Sequence, residues 1–340
     1  MSGWWAGLAA VVLGTGAPGG TWQRLPSLPD PEGFAGSFAG VSSGALLVAG
    51  GANFPGKKPW EGGAKAWTDA VFVLDAPGGK WAVAGKLPRP LGYGVSVTHR
   101  GGVVCVGGSD AARHYPDAFR LDWTAGQLAT TPLPPLPRPV ANGCGALVGD
   151  TLYVAGGQES PTARSTLDAV YALDLAADKP AWRAVPPCPG GGRMLAVAAG
   201  FGGAFWLVGG VDLVGEKPDR RYLRDAYRYN PAGGWKRIAD LPHPVAAAPS
   251  PAPTDVTGFF LLGGDDGSQV GIPPAAHRGF GKTVLRFDAR TGNWVKAGGL
   301  PAPRVTAPCV RWGVQWVVPS GEARPGVRSP EVWGWVGRPG

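Results

Sequence analysis

Pairs of adjacent glycines, each closing a short run of β-branched or apolar residues, recur at Gly50-Gly51, Gly107-Gly108, Gly156-Gly157, Gly209-Gly210 and Gly263-Gly264. Their spacings are 57, 49, 53 and 54 residues, and one further interval reaches Trp316 to Gly321, a degenerate sixth copy. A period of this length marks an array of supersecondary units rather than the two domains that 340 residues would otherwise suggest. Each unit repeats later landmarks. A strand opens on an acid and ends on another polar residue: Asp69 to Asp75, Asp117 to Asp122, Asp168 to Asp174, Asp225 to Asn230 and, with a basic start, Lys282 to Asp288. A Trp and a terminal apolar-Pro pair follow: Trp81 with Leu87-Pro88, Trp182 with Val185-Pro186, Trp235 with Leu241-Pro242, and Trp294 with Leu300-Pro301. Unit two keeps Leu136-Pro137 without a Trp in register.

About four short β-rich runs per unit, separated by Gly, Pro, Asn and Asp turns, describe a four-stranded antiparallel sheet repeated around an axis. One such sheet has two faces to bury, so it needs a neighbour on each side. The expected fold is all-β, a six-bladed β-propeller, with each Trp in the wedge between blades and each diglycine where the backbone turns close to its neighbours. The sixth unit ends at Glu331 to Trp335 with no Trp-to-Leu-Pro strand after it, whereas Trp22 to Pro26 carries that signature ahead of the first complete unit. The N-terminal strand is therefore expected to complete the C-terminal blade, giving one propeller domain over residues 21–340.

Glycine and proline are abundant, at 57 and 36 residues, but 15 Trp and 44% hydrophobic residues supply a core, so disorder is excluded for most of the length. The glycines have no three-residue period, and no apolar run reaches the ~18–20 residues of a spanning helix. A net charge of +8 is spread along the chain rather than gathered in a tract, which argues against nucleic acid and suits a small anionic ligand. Cys105, Cys144, Cys188 and Cys309 show no zinc-type spacing; Cys105, within a valine run, reads as a buried thiol. Residues 1–20 hold an apolar stretch from Trp4 to Leu13 and small residues from Gly14 to Ala17, without Lys or Arg ahead of them. An export signal and a disordered tail are both open readings, and a periplasmic or secreted location is slightly favoured over the cytoplasm.

The repeats look like kelch motifs, which fix a fold and leave function open. A narrower likeness lies in Ser320 to Ser329, where Gly321-Glu322, Pro325-Gly326 and Arg328 resemble the Gly-Glu-x-Lys-Pro-Gly-x-Arg segment of the bacterial sialic acid mutarotases, or N-acetylneuraminate epimerases. Gly36 to Ser42, Leu46 to Phe54 and Gly92 to Ser96 are similar to other segments of that family. The Glu segment falls in the last blade rather than mid-chain, so the chain looks like a cyclically permuted branch. Ser109-Asp110 stands where the resembled enzymes carry a glutamate, and Arg324 where they carry a lysine.

The resemblance implies interconversion of the anomers of sialic acid, or of a related acidic sugar, by acid/base ring opening and closing, with no metal or organic cofactor. It assigns Glu322 as general base and acid, and Arg328 as partner of the carboxylate or of the transition state. The intervening Pro325-Gly326 turn can fold the two together. Arg89, Arg138 and Arg304, each ahead of an innermost strand, are expected to ring the channel mouth and focus anions, or else to pair with acids between blades. Asn53, Tyr93 and Asp110 are candidates for substrate hydroxyls, and His277, in the long loop from Gly267 to Gly281, for gating. The alternative function is a kelch-type interaction module that binds a protein partner through its loops. A copper radical oxidase on a similar ring is disfavoured, because His99, His114, His243 and His277 show no paired ligand spacing.

Overall fold

Each diglycine terminates the second strand of a blade, and both of its residues have positive φ, as at Gly50 (63°) and Gly51 (97°). A side chain at the first would collide with a carbonyl: a Cβ on Gly50 would lie 2.1 Å from the oxygen of Leu91, just ahead of the next blade's inner strand. The second glycine's amide bonds that same oxygen, Gly51 to Leu91 at 2.8 Å. Gly108 to Val140, Gly157 to Arg193 and Gly210 to Val245 repeat the bond at 2.7–2.8 Å. The diglycine is thus the joint between blades, tight enough to exclude a methyl group.

In the computed structural model, which describes residues 20–215 and 219–337, these joints link six blades. Blade 1 comprises Phe38–Ser42, Ala45–Ala49, Ala70–Leu74 and Ala82–Lys86, and blade 2 comprises Val95–His99, Gly102–Val106, Ala118–Thr124 and Gln127–Leu133. Blade 3 holds Cys144–Val148, Thr151–Ala155, Val170–Asp174 and Trp182–Val185; blade 4 holds Val197–Phe201, Ala204–Val208, Ala226–Asn230 and Gly234–Arg237. Blade 6 closes the ring as expected. Val310–Trp312, Gln315–Pro319 and Val332–Val336 are completed by the N-terminal strand Thr21–Leu25, antiparallel with Thr21 opposite Val336. The leader or disordered tail expected over residues 1–20 lies, except for Gly20, outside the described residues.

Blade 5 departs from four full strands. Its sheet has three, Gly258–Gly264, Gly281–Asp288 and Asn293–Gly299, while the innermost segment makes isolated bridges alone, Thr254 with Phe259 and Ser250 with Pro308. Pro249, Pro251 and Pro253 occupy that segment, and proline has no amide to give to a ladder.

Six apolar clusters fill the six interfaces between neighbouring blades. The tryptophans lock the wedges. Trp81 Nε1 donates to the Pro26 carbonyl at 2.8 Å, Trp182 to Pro134 at 2.7 Å, Trp235 to Pro186 at 2.7 Å and Trp294 to Ala239 at 2.8 Å. Each indole is therefore half-buried at the interface and bonds the end of the preceding blade's outer strand. Blade 2 has Leu128 near that register, opposite Trp123, and both pack at the blade 1–2 interface without an equivalent bond.

Candidate functional site

At the end of the channel where each inner strand begins, six backbone bonds form a closed circle. The amide of Gly36 donates to the Thr306 carbonyl at 2.6 Å, Tyr93 to Gly36 at 2.7 Å, and Asn142 to Tyr93 at 2.8 Å. Leu195 then donates to Asn142, Ala247 to Leu195 and Thr306 to Ala247, at 2.7–2.8 Å. All six residues have φ between 48° and 68°, a left-handed conformation that costs energy at the five that are not glycine. Closing the ring of bonds offsets that cost. With the residues that follow, they line a cavity of about 70 Å³ in the channel.

One step outside this circle, each blade contributes the residue after its diglycine, or after Ser320-Gly321 in blade 6. Ala52, Ser109, Gln158, Val211, Asp265 and Glu322 bridge to Ala35, Gly92, Ala141, Met194, Ala246 and Val305, each the neighbour of a residue in the circle. Two of these six equivalent positions carry acids. Asp265 is fully employed: one carboxylate oxygen accepts from the Tyr222 hydroxyl at 2.7 Å and the other from the Gly267 amide at 3.0 Å. Glu322 is not. Its Oε1 accepts from the Gly326 amide at 2.7 Å and lies 3.2 Å from Arg328 Nη1, whereas Oε2 has no hydrogen-bond partner among the described residues.

The convergence of Glu322 and Arg328 is a matter of register. Glu322–Arg324 and Val327–Arg328 form a two-strand hairpin in which Glu322 stands opposite Arg328. The turn is made at Gly326, whose φ is 76°. A Cβ there would lie 3.0 Å from both Pro59 and Trp60, which belong to the long connection of blade 1. That connection, residues 54–69, folds over the hairpin. It is held by a short 3₁₀ turn at Pro59–Glu61, by the Lys58–Glu32 ion pair, and by Ala66–Trp67 pairing with Ala52–Asn53.

The connection brings Phe54, Lys65 and Trp67 to the surroundings of Arg328, and the start of blade 2 brings Tyr93. The guanidinium stacks 4.6 Å from the Phe54 ring and reaches the Tyr93 hydroxyl at 3.4 Å. Lys65 Nζ lies 4.1 Å from the Tyr93 ring centroid and 4.6 Å from that of Trp67. Burial, reinforced by the charge of Arg328 and only partly opposed by Glu322, lowers the Lys65 ammonium to about 8. Burial raises the Tyr93 phenol to about 12, with Arg328 opposing. The site therefore holds two cations, one carboxylate and a neutral phenol in largely desolvated surroundings.

Of the residues singled out in the sequence, Glu322, Arg328 and Tyr93 come together. Asn53 is buried beside them on the strand paired with Ala66, its amide nitrogen donating to Asp30 at 3.1 Å. The others have different company. Arg89 pairs with Asp117 at 3.2 Å and lies over Tyr115, and Arg138 pairs with Glu159 at 3.4 Å. Arg304 is 3% exposed, bonded to Glu331 and Ser329 inside blade 6, and burial depresses its titration. Asp110 caps its own turn through the amides of Ala112 and Arg113 and accepts from the Tyr115 hydroxyl. His277 is buried against Phe280, with Nδ1 accepting from the Gly279 amide at 3.0 Å. Lys65 and Trp67 escaped the sequence reading. Their only signal was the extra length of the first unit, 57 residues against 49 in the second.

A family model described as N-acetylneuraminate epimerase matches residues 9–130 and 133–270. The chain belongs to this family. Among curated relatives, the N-acetylneuraminate epimerase of Haemophilus influenzae (strain 86-028NP) is 42% identical over 106 residues, 27% of this chain and 28% of its own. That of Brucella suis is 42% identical over 118 residues, 30% of each, and that of Yersinia enterocolitica 37% identical over 143 residues, 36% of each. The aligned stretches thus span about a third of the relatives' length or less. A solved structure described as "Structure of YjhT" superposes with a TM-score of 0.67 at 14% identity, over 84% of this chain and 93% of that one, and shares the fold. The family match ends at residue 270, ahead of the hairpin that carries Glu322 and Arg328.

Proposed function

We propose that this N-acetylneuraminate epimerase family member is a mutarotase, interconverting the anomers of sialic acid or of a closely related acidic sugar. The observation that supports this reading is the half-employed carboxylate of Glu322. It stands at the channel mouth with one oxygen fixed by Gly326 and Arg328 and the other available to a ligand.

Sialic acid is a cyclic hemiketal with a carboxylate on its anomeric carbon. The free oxygen of Glu322 takes the proton of the anomeric hydroxyl. The O–H electron pair becomes the second bond of a ketone as the bond from the anomeric carbon to the ring oxygen breaks. The proton returns from Glu322 to the departing ring oxygen, giving the open-chain keto acid. Rotation presents the other carbonyl face, and the reverse steps close the ring. No net proton, electron or co-reactant is consumed. Arg328 meets the substrate carboxylate with a charge-assisted hydrogen bond while holding the Glu322 side chain in place.

The test is NMR exchange between the axial and equatorial proton signals of N-acetylneuraminate with added protein. Exchange that grows with protein concentration is expected. Exchange no faster than in buffer, with the protein folded, overturns the reading and favours the loop-binding alternative, which a protein partner recovered by pull-down would support.

A further inference from the structure

Two polar groups at this site have no hydrogen-bond partner: the half-buried ammonium of Lys65 and the fully buried indole nitrogen of Trp67. Lys65 Nζ rests on the faces of Tyr93 and Trp67, where it has cation–π attraction but no hydrogen-bond acceptor. The Trp67 indole Nε1 is buried and unbonded, one of three such side-chain atoms among the described residues. Folded chains seldom leave buried donors orphaned, because the lost hydration is then uncompensated. The local acids cannot serve. Asp30 accepts from Asn53 and from the amides of Glu32 and Gly33, Glu32 is paired with Lys58, and Glu61 closes the turn at Lys58. Lys65 and Arg328 against Glu322 leave one unbalanced positive charge, which a monoanion would neutralise.

We propose that Lys65 and the indole N–H of Trp67 form the second half of a carboxylate anchor, completing with Arg328 a three-donor cradle that leaves the free oxygen of Glu322 for the anomeric hydroxyl. This rests on the reading above for the identity of the sugar acid, but the cradle itself is defined by the carboxylate alone. The long connection of blade 1 then has a function: with Pro59 and Trp60 against the Gly326 turn, it sets Lys65 on the rings of Trp67 and Tyr93, whose hydroxyl Arg328 reaches. A neutral sugar would leave the buried indole N–H unbonded and the Lys65 charge unbalanced, so the anchor also selects acids over their neutral analogues.

The experiment follows the ε-carbon signal of Lys65 by NMR in ¹³C-lysine-labelled full-length protein, assigned by Lys65→Arg. pH titrations are run alone, with saturating N-acetylneuraminate, and with lactate as a minimal 2-hydroxy carboxylate. Either acid is expected to raise the Lys65 titration midpoint by at least one pH unit. Lys65→Met is expected to weaken N-acetylneuraminate binding at least tenfold, with Lys65→Arg restoring most of it and Trp67→Phe weakening it about threefold. An unmoved midpoint with both acids, or undiminished binding by Lys65→Met, overturns the anchor. If wild type mutarotates N-acetylneuraminate while Lys65 is indifferent to it, the anchor falls and the mutarotase reading stands. If lactate moves Lys65 but N-acetylneuraminate is neither bound nor mutarotated, the anchor stands and the sialic acid reading falls.

Discussion

Glu322 and Arg328 face each other across a two-strand hairpin, with 3.2 Å between carboxylate oxygen and guanidinium and the amide of Gly326 bonded to the same oxygen. The guanidinium is also stacked on Phe54 and within reach of Tyr93. Arg328→Lys keeps the charge but loses the planar fork that makes these contacts together. It is expected to raise KM for N-acetylneuraminate by roughly 10- to 100-fold, about 1.4 to 2.8 kcal/mol, from loss of one charge-assisted bond. Steady-state kinetics check this, and an unchanged KM would place the substrate carboxylate elsewhere.

Lys65 has a stability signature that is separate from catalysis. Its titration lies near 8 in the folded chain against 10.5 ordinarily, so between those values the unfolded chain holds more protons and stability rises with pH. The cost of the buried ammonium is fully present below pH 8 and gone above pH 10.5. Lys65→Met should therefore be more stable than wild type by about 1–3 kcal/mol at neutral pH, a gain that shrinks towards zero as pH climbs through that window. Urea unfolding at pH 7 and pH 10 checks both the sign and its disappearance.

Ser320 stands where the other blades have the first glycine of the pair, with φ of 61°. Its hydroxyl accepts from the Phe34 amide at 2.7 Å and has its one proton to share between the carbonyls of Ser329 at 2.7 Å and Phe34 at 2.9 Å, which turns a would-be collision into the joint between blades 6 and 1. Ser320→Ala leaves the Phe34 amide without its acceptor and the Ser329 carbonyl without this donor, and should destabilise the fold by about 1–3 kcal/mol. Thermal unfolding is the measurement, and a Tm within one degree of wild type would show that the joint does not depend on the hydroxyl.

All four cysteines are free and buried, and burial raises each thiol above its ordinary range. The native protein should leave a thiol-specific disulfide reagent essentially unreacted over minutes, with four equivalents released in denaturant. Rapid labelling of the native state would contradict this burial.

The blades were legible because their joints cannot be built from other residues. Gly50, Gly107, Gly156, Gly209 and Gly263 each meet a neighbouring carbonyl where a Cβ would stand, so the constraint is written in residue type. The wedge tryptophans were legible for the same reason, since each needs both an apolar slot and an acceptor. The hydrogen-bonded circle was not legible. It is made by backbone atoms of Tyr93, Leu195, Ala247 and Thr306, whose side chains give no hint of a left-handed φ. Nor did sequence give the orientation of Arg304, which precedes an inner strand like Arg89 but turns into its own blade towards Glu331. Glu322 and Arg328 could be read from one continuous segment. Lys65 joins them from 257 residues away through an irregular connection that no periodicity announces.

Whether the free oxygen of Glu322 moves the anomeric proton is decided by NMR exchange of N-acetylneuraminate with wild type and with Glu322→Gln. Glutamine retains an oxygen for Gly326 but cannot take a proton. Wild type should exchange the anomers in proportion to its concentration, and the variant, equally folded, should lose roughly 10²- to 10⁴-fold of the rate above buffer. A variant as fast as wild type would mean that Glu322 does not carry the proton.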